Sequence, residues 1–179
     1  MRNDIERVLF SEEELTAKVK EIGKQITEDY RGKDIILVGI LKGSVPFMAE
    51  LMKYIEIPCK IDFMDVSSYG NSTETSGVVR ILKDLEFEVE GRDILIVEDI
   101  VDTGTTLEYL RTYLKSKNPN SVSVACLLNK PDRRKIEVDV KYLGYEVPDE
   151  FLVGYGLDYA EKYRNLPFIG ILKESVYKK

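Results

Sequence analysis

Runs of apolar, β-branched residues recur along the chain and predict strands. DIILVGI (34–40), DILIV (93–97) and SVSVACLL (121–128) are continuous, as expected for strands buried on both faces. CKIDFMDVS (59–67) alternates like a strand, and VVRIL (78–82) predicts the return strand beside it. Helical segments separate several of these runs. The pattern therefore predicts an α/β fold with a central, mostly parallel sheet flanked by helices.

Local signals place the helices between these strands. Ser11 and Glu14 fit the two ends of a capping box, which opens a helix that we expect to reach about Tyr30. Further helices are predicted from Val45 to about Tyr54, with Pro46 tolerated in the first turn, and over 105–117. No internal repeat, low-complexity segment or linker divides the chain, so we expect one domain over 1–179.

Loops and short strand-like pieces complete the pattern. SSYGNSTETSG (67–77) consists mainly of Ser, Thr, Asn and Gly, which predicts a mobile loop. NKPDRRK (129–135) predicts a polar turn with a proline. Glycines and prolines in the C-terminal part separate VKYLGYEV (140–147), FLVGYGLDY (151–159) and LPFIGIL (166–172).

Composition narrows the function classes. The net charge of −6 and pI near 5.0 argue against broad binding to nucleic acid or membrane surfaces. No apolar run approaches the roughly 20 residues that span a bilayer, and the N-terminal sequence lacks the apolar core of a signal peptide, so we expect a cytoplasmic protein. Cys59 and Cys126 lie in strand-like runs and are expected to be buried, reduced thiols rather than a disulfide or a reactive thiol.

The chain contains no histidine, which excludes Ser-His and Cys-His catalysis and histidine zinc sites. Any general base must therefore be a carboxylate, a lysine or a tyrosine.

Candidate chemistry concentrates in DILIVEDIVDTGTTLEYL (93–110). Glu98 and Asp99 follow the apolar run, where ligands collect at the carboxyl edge of a parallel sheet. The turn that follows enters a helix, whose unpaired amides and dipole favour an anion such as phosphate. The turn matches neither the Gly-x-x-x-x-Gly-Lys-Ser/Thr loop nor the Gly-x-Gly-x-x-Gly fingerprint. An ordinary helix cap beside solvated acids is the alternative.

The same segment resembles the phosphoribosyl-diphosphate motif of type I phosphoribosyltransferases. VGILKGSVPFMAELM, FMDVSSYGNSTETSG, LLNKPDRRK and FLVGYGLDYAEKYRNLPFIGIL resemble the hypoxanthine-guanine branch of that family, in order and spacing, over about residues 5–175. The resemblance implies the type I phosphoribosyltransferase fold, with a small hood subdomain formed from the N-terminal and C-terminal segments. It implies transfer of ribose 5-phosphate from 5-phosphoribosyl 1-diphosphate to N9 of hypoxanthine, and also of guanine, with Mg²⁺.

The resemblance also implies a role for each matching residue. Asp102 is the catalytic general base or proton relay near purine N7, and Glu98 and Asp99 hold the ribose hydroxyls. The resemblance implies that the 5-phosphate binds to Asp102, Thr103, Gly104, Thr105 and Thr106, and the diphosphate to Lys42, Gly43 and Arg164, with a cis Leu41–Lys42 peptide. It implies that the purine binds to Lys130, Phe151, Leu152 and Asp158, and the metal to Glu98, Asp99 and Asp158. It also implies a mobile loop at Ser68 and Tyr69.

Several points stay open at this stage. Lys42 in a solvated turn and Phe151 in plain core packing are the structural alternatives to the implied roles. A xanthine-preferring enzyme is the nearest functional alternative, and an RNA-binding regulator on the same fold is one from another class. A GTPase-like reading fails on the missing Walker lysine. The resemblance implies a homodimer or homotetramer, with the Lys42–Gly43 region near the subunit contact.

Overall fold

The fold is built on a six-stranded sheet and a separate three-stranded sheet. The structure is a computed structural model, and it describes residues 1–68 and 79–178. In chain order the elements are β1 (Ile5–Phe10), α1 (Glu12–Asp29), β2 (Ile35–Leu41), α2 (Val45–Leu51), β3 (Cys59–Ser68), β4 (Val79–Lys83), β5 (Asp93–Val101), α3 (Thr105–Lys115), β6 (Ser121–Asn129), β7 (Tyr142–Glu146), β8 (Leu152–Val153), β9 (Ile169–Leu172) and α4 (Glu174–Tyr177), with 3-10 turns at Arg2–Asp4, Met52–Tyr54 and Pro131–Arg133.

The larger sheet confirms the predicted α/β architecture. Its strand order is β4-β3-β2-β5-β6-β7, and every neighbouring pair is parallel except β3 with β4. One apolar cluster packs α1 and α2 against one face, and a second packs α3 against the other. The central strands are buried from both sides, which explains their continuous apolar sequences.

The smaller sheet, with strand order β1-β9-β8, joins the two ends of the chain. Both of its pairings are antiparallel. The apolar pattern did not predict β1, because Glu6 and Arg7 interrupt it and no residue of the strand is fully buried. Pairing with the buried strand β9 makes β1 a strand despite its weak pattern.

Three predicted boundaries need correction. The apolar run starting at Asp93 was expected to end before Glu98, but β5 continues to Val101 because it pairs with β6 as far as Asn129. The helix predicted to reach Lys117 ends at Lys115, shortly before Asn118 adopts a positive φ of 55°. The helix predicted over 45–54 is α2 followed by a 3-10 turn.

Both cysteines are free thiols, as expected, although only Cys126 is buried and Cys59 is half-buried. Among the described residues, no helix is long and apolar enough to cross a membrane.

The capping box that opens α1 is present in full. The Glu14 amide donates to Ser11 Oγ at 3.2 Å, and the Ser11 amide donates to Glu14 Oε2 at 2.8 Å. Beyond this cap, Leu15, Val19, Ile22 and Ile26 bury one face of the helix in the core. The cap therefore stabilises the start of a helix whose apolar face forms part of the core.

We predict that Ser11→Ala lowers the free energy of unfolding by about 1 kcal/mol, because the Glu14 amide at the helix start loses its side-chain partner. Urea unfolding followed by far-UV circular dichroism measures the change. Ser11→Asp is the matched control and should stay close to the parent, since aspartate also accepts at this position. An equal loss in both variants would contradict the capping explanation.

Candidate active site

Three neighbouring strands bring the predicted residues to one edge of the sheet. β2, β5 and β6 are parallel and adjacent, so their carboxyl ends lie side by side. Lys42 and Gly43 follow β2, Asp102 follows β5, and Lys130 follows β6. This is the edge at which open α/β sheets bind ligands.

A cavity of about 860 Å³ lies at this edge, a size suited to a small-molecule ligand. It brings together six of the predicted residues, namely Asp99, Asp102, Lys130, Phe151, Leu152 and Asp158. The remaining lining consists of Glu6, Ile100, Arg133, Asp149, Glu150, Leu157, Ile171, Leu172, Glu174, Tyr177 and Lys178. Of the other predicted residues, Lys42, Gly43, Glu98, Thr103, Gly104, Thr105, Thr106 and Arg164 are outside the lining.

Asp99 lies directly against the turn after β2. A Cβ placed on Gly43 would be 1.7 Å from Asp99 Oδ2, so only glycine leaves room for the carboxylate. The Ile100 amide donates to Asp99 Oδ1 at 2.7 Å, which fixes the other oxygen. The Leu41–Lys42 peptide that precedes Gly43 is cis, in agreement with the family resemblance. The close contact between Gly43 and Asp99 therefore packs the turn after β2 against the end of β5.

The two adjacent carboxylates at the end of β5 carry raised pKa values. Burial raises the pKa of Asp99 to about 6, and the backbone amide of Ile100 partly offsets this. Burial also raises the pKa of Glu98 well above its usual range, and the neighbouring charge of Asp99 adds to the effect. Glu98 Oε2 is buried and has no hydrogen-bond partner among the described residues. The pair is thus poised for a positively charged or hydrogen-bond-donating ligand.

The turn from Asp102 to Thr105 opens α3 around a left-handed glycine. Gly104 is the N-cap with φ 85°, and a Cβ there would be 2.2 Å from the carbonyl oxygen of Ile136. The Thr105 amide donates weakly to Thr103 Oγ1 at 3.4 Å. The turn combines helix-start amides with threonine hydroxyls, which suits it to an anion.

The segment after β6 forms hydrogen bonds to the backbone of this turn. The amides of Lys135 and Ile136 both donate to the carbonyl of Thr103, at 2.9 and 3.0 Å. Arg134 Nε donates to the carbonyl of Asp102 at 3.1 Å. Arg134 was not predicted, since one more basic residue in a polar turn gives no signal in the sequence. Its contacts identify it as a support for the Asp102 turn.

Arg133 is a second residue that the sequence did not single out. Its Nε lies 3.1 Å from Asp102 Oδ1, and its Nη1 lies 3.8 Å from Asp149 Oδ1. Because Arg133 is half exposed, water weakens both attractions. The ion pair nevertheless places a positive charge beside the carboxylate predicted to be the base.

Lys130 is buried, with 7% of its surface exposed, although the sequence suggested only a loop lysine. Its Nζ donates to the carbonyl of Glu150 at 2.9 Å and lies 3.7 Å from Asp149 Oδ1. A buried ammonium group is costly unless it has partners. Its position on the cavity wall gives it the chance to donate to a ligand oxygen.

Phe151 belongs to an aromatic group on the cavity wall. The ring of Tyr177 stacks on Phe151 with centroids 4.8 Å apart and planes at 30°. Tyr159 meets Phe151 edge to face at 5.4 Å. Tyr177 lines the cavity and was not predicted, because α4 is one short turn with no apolar period. Phe151 therefore lies at the cavity wall while it also packs against these two rings.

A charged network connects the turn after β2 to the segment after β8. Arg164 Nη2 lies 2.9 Å from Asp158 Oδ1 and 3.2 Å from Glu161 Oε1. Lys42 Nζ lies 3.0 Å from Glu161 Oε2. Glu161 is the one member of this network without a predicted role. The network brings Lys42 and Arg164 together, as the resemblance implied.

Of the predicted mobile-loop residues Ser68 and Tyr69, only Ser68 is among the residues that the structure describes. Ser68 ends β3, and Tyr69 lies outside the described residues.

The carboxylates fit an ion that takes few protein ligands. No group of three or more acidic, cysteine or histidine side chains that could enclose a metal occurs in the described part of the chain. Glu98 has a buried, unpartnered oxygen, and Asp158 lies close enough to Asp99 to raise its pKa. Mg²⁺ is commonly held by one or two carboxylates, substrate phosphates and water, so this donor set suits it.

Acidic residues and a helix-start turn suited to an anion lie together at the carboxyl edge of the sheet, the edge at which α/β folds bind ligands, and comparison with known proteins identifies the family. The model of the phosphoribosyl transferase domain matches residues 9–160. The chain belongs to the phosphoribosyltransferase family.

Several similar relatives share one name. The chain is 56% identical to a hypoxanthine-guanine phosphoribosyltransferase of Streptococcus mutans and 55% identical to one of Streptococcus agalactiae, each over 100% of this chain and 99% of the relative. It is also similar to the crystal structure of a hypoxanthine phosphoribosyltransferase from Staphylococcus aureus. That likeness has a TM-score of 0.97 and 52% identity, and covers 100% of this chain and 97% of the other.

The raised pKa of Asp99 predicts how stability depends on pH. A carboxyl group whose folded pKa of about 6 exceeds its ordinary value of 3.8 stabilises the fold below pH 4 relative to neutral pH, and this contribution is lost as the pH rises to 6. We therefore predict that Asp99→Asn raises the free energy of unfolding by about 1–2 kcal/mol at pH 7.5, and by much less at pH 4, after allowance for partial solvent screening.

Urea unfolding of ligand-free protein in EDTA at both pH values measures this difference. Asp139→Asn removes the same charge from an exposed position and serves as the control, expected to change stability little at either pH. A pH-independent effect of Asp99→Asn would refute the burial of a destabilised carboxylate.

Proposed function

We propose that this chain transfers ribose 5-phosphate from 5-phosphoribosyl 1-diphosphate to N9 of hypoxanthine, and also of guanine, with Mg²⁺. The products are IMP or GMP and diphosphate, which makes the reaction one of purine salvage. The observation that carries the proposal is one cavity that contains Asp99, Asp102, Lys130 and Phe151, in a chain similar over its full length to hypoxanthine-guanine phosphoribosyltransferases.

In the proposed reaction the bond between ribose C1 and the diphosphate oxygen breaks, and a bond from C1 to purine N9 forms. Positive charge develops at C1 in between. Glu98 and Asp99 accept hydrogen bonds from the ribose hydroxyls, and their negative charge stabilises the developing cation. Binding also compensates these two carboxylates for their burial, which raises the pKa of both.

Asp102 is proposed to take the proton that leaves purine N7 as N9 forms its new bond. The absence of histidine leaves a carboxylate, a lysine or a tyrosine as the base, and the family resemblance implies Asp102 among these. Asp102 lines the cavity, and its carboxylate forms an ion pair with the guanidinium of Arg133. Whether the proton passes directly or through water does not alter this assignment.

Base recognition is assigned to Lys130, Phe151, Leu152 and Asp158. Lys130 is proposed to donate to the purine 6-oxo group, and this donor would reject adenine, whose 6-amino group is itself a donor. Phe151 is proposed to stack on the face of the purine ring. The backbone of Leu152 in β8 is proposed to contact the amidine edge of that ring. The three-stranded sheet that carries Leu152 acts as the hood.

Phosphate groups are assigned to the two turns at the sheet edge. The 5-phosphate is assigned to the turn at 102–106, with its helix-start amides. The diphosphate is assigned to Lys42, Gly43 and Arg164, supported by the contacts that bring Lys42 and Arg164 onto one carboxylate. Glu98, Asp99 and Asp158 are the candidate contacts for Mg²⁺, which neutralises diphosphate charge when bound.

A homodimer or homotetramer is proposed, with a subunit contact near the turn after β2. Val45 and Met52 begin and follow α2, and each is 40% exposed. Their spacing of seven residues puts them on one face of that helix. Light scattering of the purified protein would give the assembly size.

We predict that Asp102→Asn keeps the fold but lowers kcat by about 100-fold or more, because the amide preserves shape and cannot accept the proton. Steady-state kinetics with hypoxanthine, alongside thermal unfolding to verify the fold, gives the measurement. An unchanged kcat would remove Asp102 from the mechanism.

Initial rates with hypoxanthine, guanine, xanthine, adenine and orotate test the proposed base class. We expect hypoxanthine and guanine to react, and adenine and orotate to react at least about 100-fold more slowly. Adenine lacks the oxo group that Lys130 matches, and orotate lacks the second ring of a purine that would stack on Phe151. Faster turnover of xanthine would favour the xanthine-preferring alternative. Failure with all five bases, together with salt-dependent RNA binding, would favour a regulator on this fold.

A further inference from the structure

One carboxylate bridges the two cations assigned to the diphosphate. Glu161 Oε2 lies 3.0 Å from Lys42 Nζ, and Glu161 Oε1 lies 3.2 Å from Arg164 Nη2. Each oxygen therefore contacts a different cation, much as two oxygens of a diphosphate would. We propose that Glu161 is an internal competitor of diphosphate: it occupies Lys42 and Arg164 in the free protein, and its departure accompanies diphosphate binding. This inference rests on the proposed function.

The main chain around Glu161 is fixed while its side chain is free to leave. The Glu161 amide donates to Asp158 Oδ2 at 2.9 Å, and Arg164 Nη1 donates to the carbonyl of Gly156 at 2.8 Å. Ala160 and Glu161 adopt left-handed φ values of 50° and 60°, which fold the segment into a tight turn. The Glu161 side chain is 64% exposed, so it can move into water without opening the core.

Asp158 keeps Arg164 in place when Glu161 leaves. Asp158 Oδ1 lies 2.9 Å from Arg164 Nη2, the same nitrogen that contacts Glu161. The site therefore loses one of two acidic partners on Arg164 and the acidic partner of Lys42. A diphosphate carries more negative charge than one carboxylate and wins this exchange, but its net affinity is reduced by the contacts it must replace.

The size of the effect follows from exposure. Each of the two ion pairs of Glu161 contributes about 0–1 kcal/mol, so removing both should strengthen diphosphate binding by about 3- to 10-fold, which corresponds to about 0.6–1.4 kcal/mol in total. The physical benefit is release: a product that must compete with an internal carboxylate dissociates faster. Substrate binding uses further contacts through its ribose and 5-phosphate, so the relative cost is greatest for free diphosphate.

The test is Glu161→Gln, which keeps size and removes the charge. Calorimetric titration of the free protein with magnesium diphosphate should give a Kd about 3- to 10-fold lower than the parent value. The KM for 5-phosphoribosyl 1-diphosphate should fall in the same direction, and the KM for hypoxanthine should stay unchanged. Stronger product inhibition by diphosphate should accompany both changes.

Glu28→Gln is the matched control. Glu28 is an exposed carboxylate paired with Arg31 at 3.0 Å on and beside α1, so its loss changes the net charge equally. It should leave the diphosphate Kd unchanged. If both variants tighten binding equally, the effect is one of overall charge, and the inference is wrong.

Other outcomes separate the inference from the function on which it rests. Unchanged or weaker diphosphate binding in Glu161→Gln, with normal binding by the parent, overturns the competitor and leaves the transferase intact. Weaker binding would assign Glu161 to holding Lys42 and Arg164 in position. A parent protein that neither binds diphosphate nor turns over hypoxanthine would overturn both proposals. Thermal unfolding of each variant checks that the turn at 158–163 still folds.

Discussion

The in-register parallel pairing of β5 with both of its neighbours is the constraint on which the site depends. β5 pairs with β2 from Ile35–Asp93 to Gly39–Val97, and with β6 from Asp93–Ser121 to Val101–Asn129. The strands therefore start together, and their carboxyl ends reach one edge together. A slip of one residue would turn Asp99 away from Gly43 and reverse every buried side chain. The apolar layers on both faces prevent that slip.

This register places two neighbouring carboxylates in a buried environment, where ionised groups are unfavourable. Glu98 and Asp99 extend β5 beyond its last pair with β2, against a glycine that leaves no space for water on one side. The raised pKa values of both carboxyls are the consequence. The buried apolar run that precedes them stabilises the strand enough to hold the pair. Acidic groups destabilised in this way gain most when a cationic or hydroxyl-bearing ligand arrives.

The apolar pattern predicted the central strands, α1 and the parallel sheet, because those elements bury whole faces. The pattern did not predict strand β1 or helix α4, because polar, exposed residues interrupt the middle of β1 and α4 is only one turn long. Asp99, Asp102 and Lys130 reached one cavity as the family resemblance implied. Arg133, Tyr177 and Glu161 were missed, because their significance lies in contacts across the fold and their residue types are ordinary in polar turns. The roles of all these residues remain predictions.

The free protein satisfies its own binding groups with internal partners. Lys130 donates to a backbone carbonyl, Phe151 stacks on Tyr177, and Lys42 shares Glu161 with Arg164. Each partner resembles the ligand group assigned to that position: an oxygen acceptor for the oxo group, a planar ring for the base, and an anion for the diphosphate. Burial without a partner would be costly for the lysine, whereas exposure to water would be costly for the apolar ring. Under the proposed assignments, ligand binding at this edge exchanges these internal partners for ligand groups, and its affinity reflects the difference between two sets of similar contacts. Such a difference is smaller than the full set of ligand contacts would give, which favours release of the charged diphosphate after each turnover.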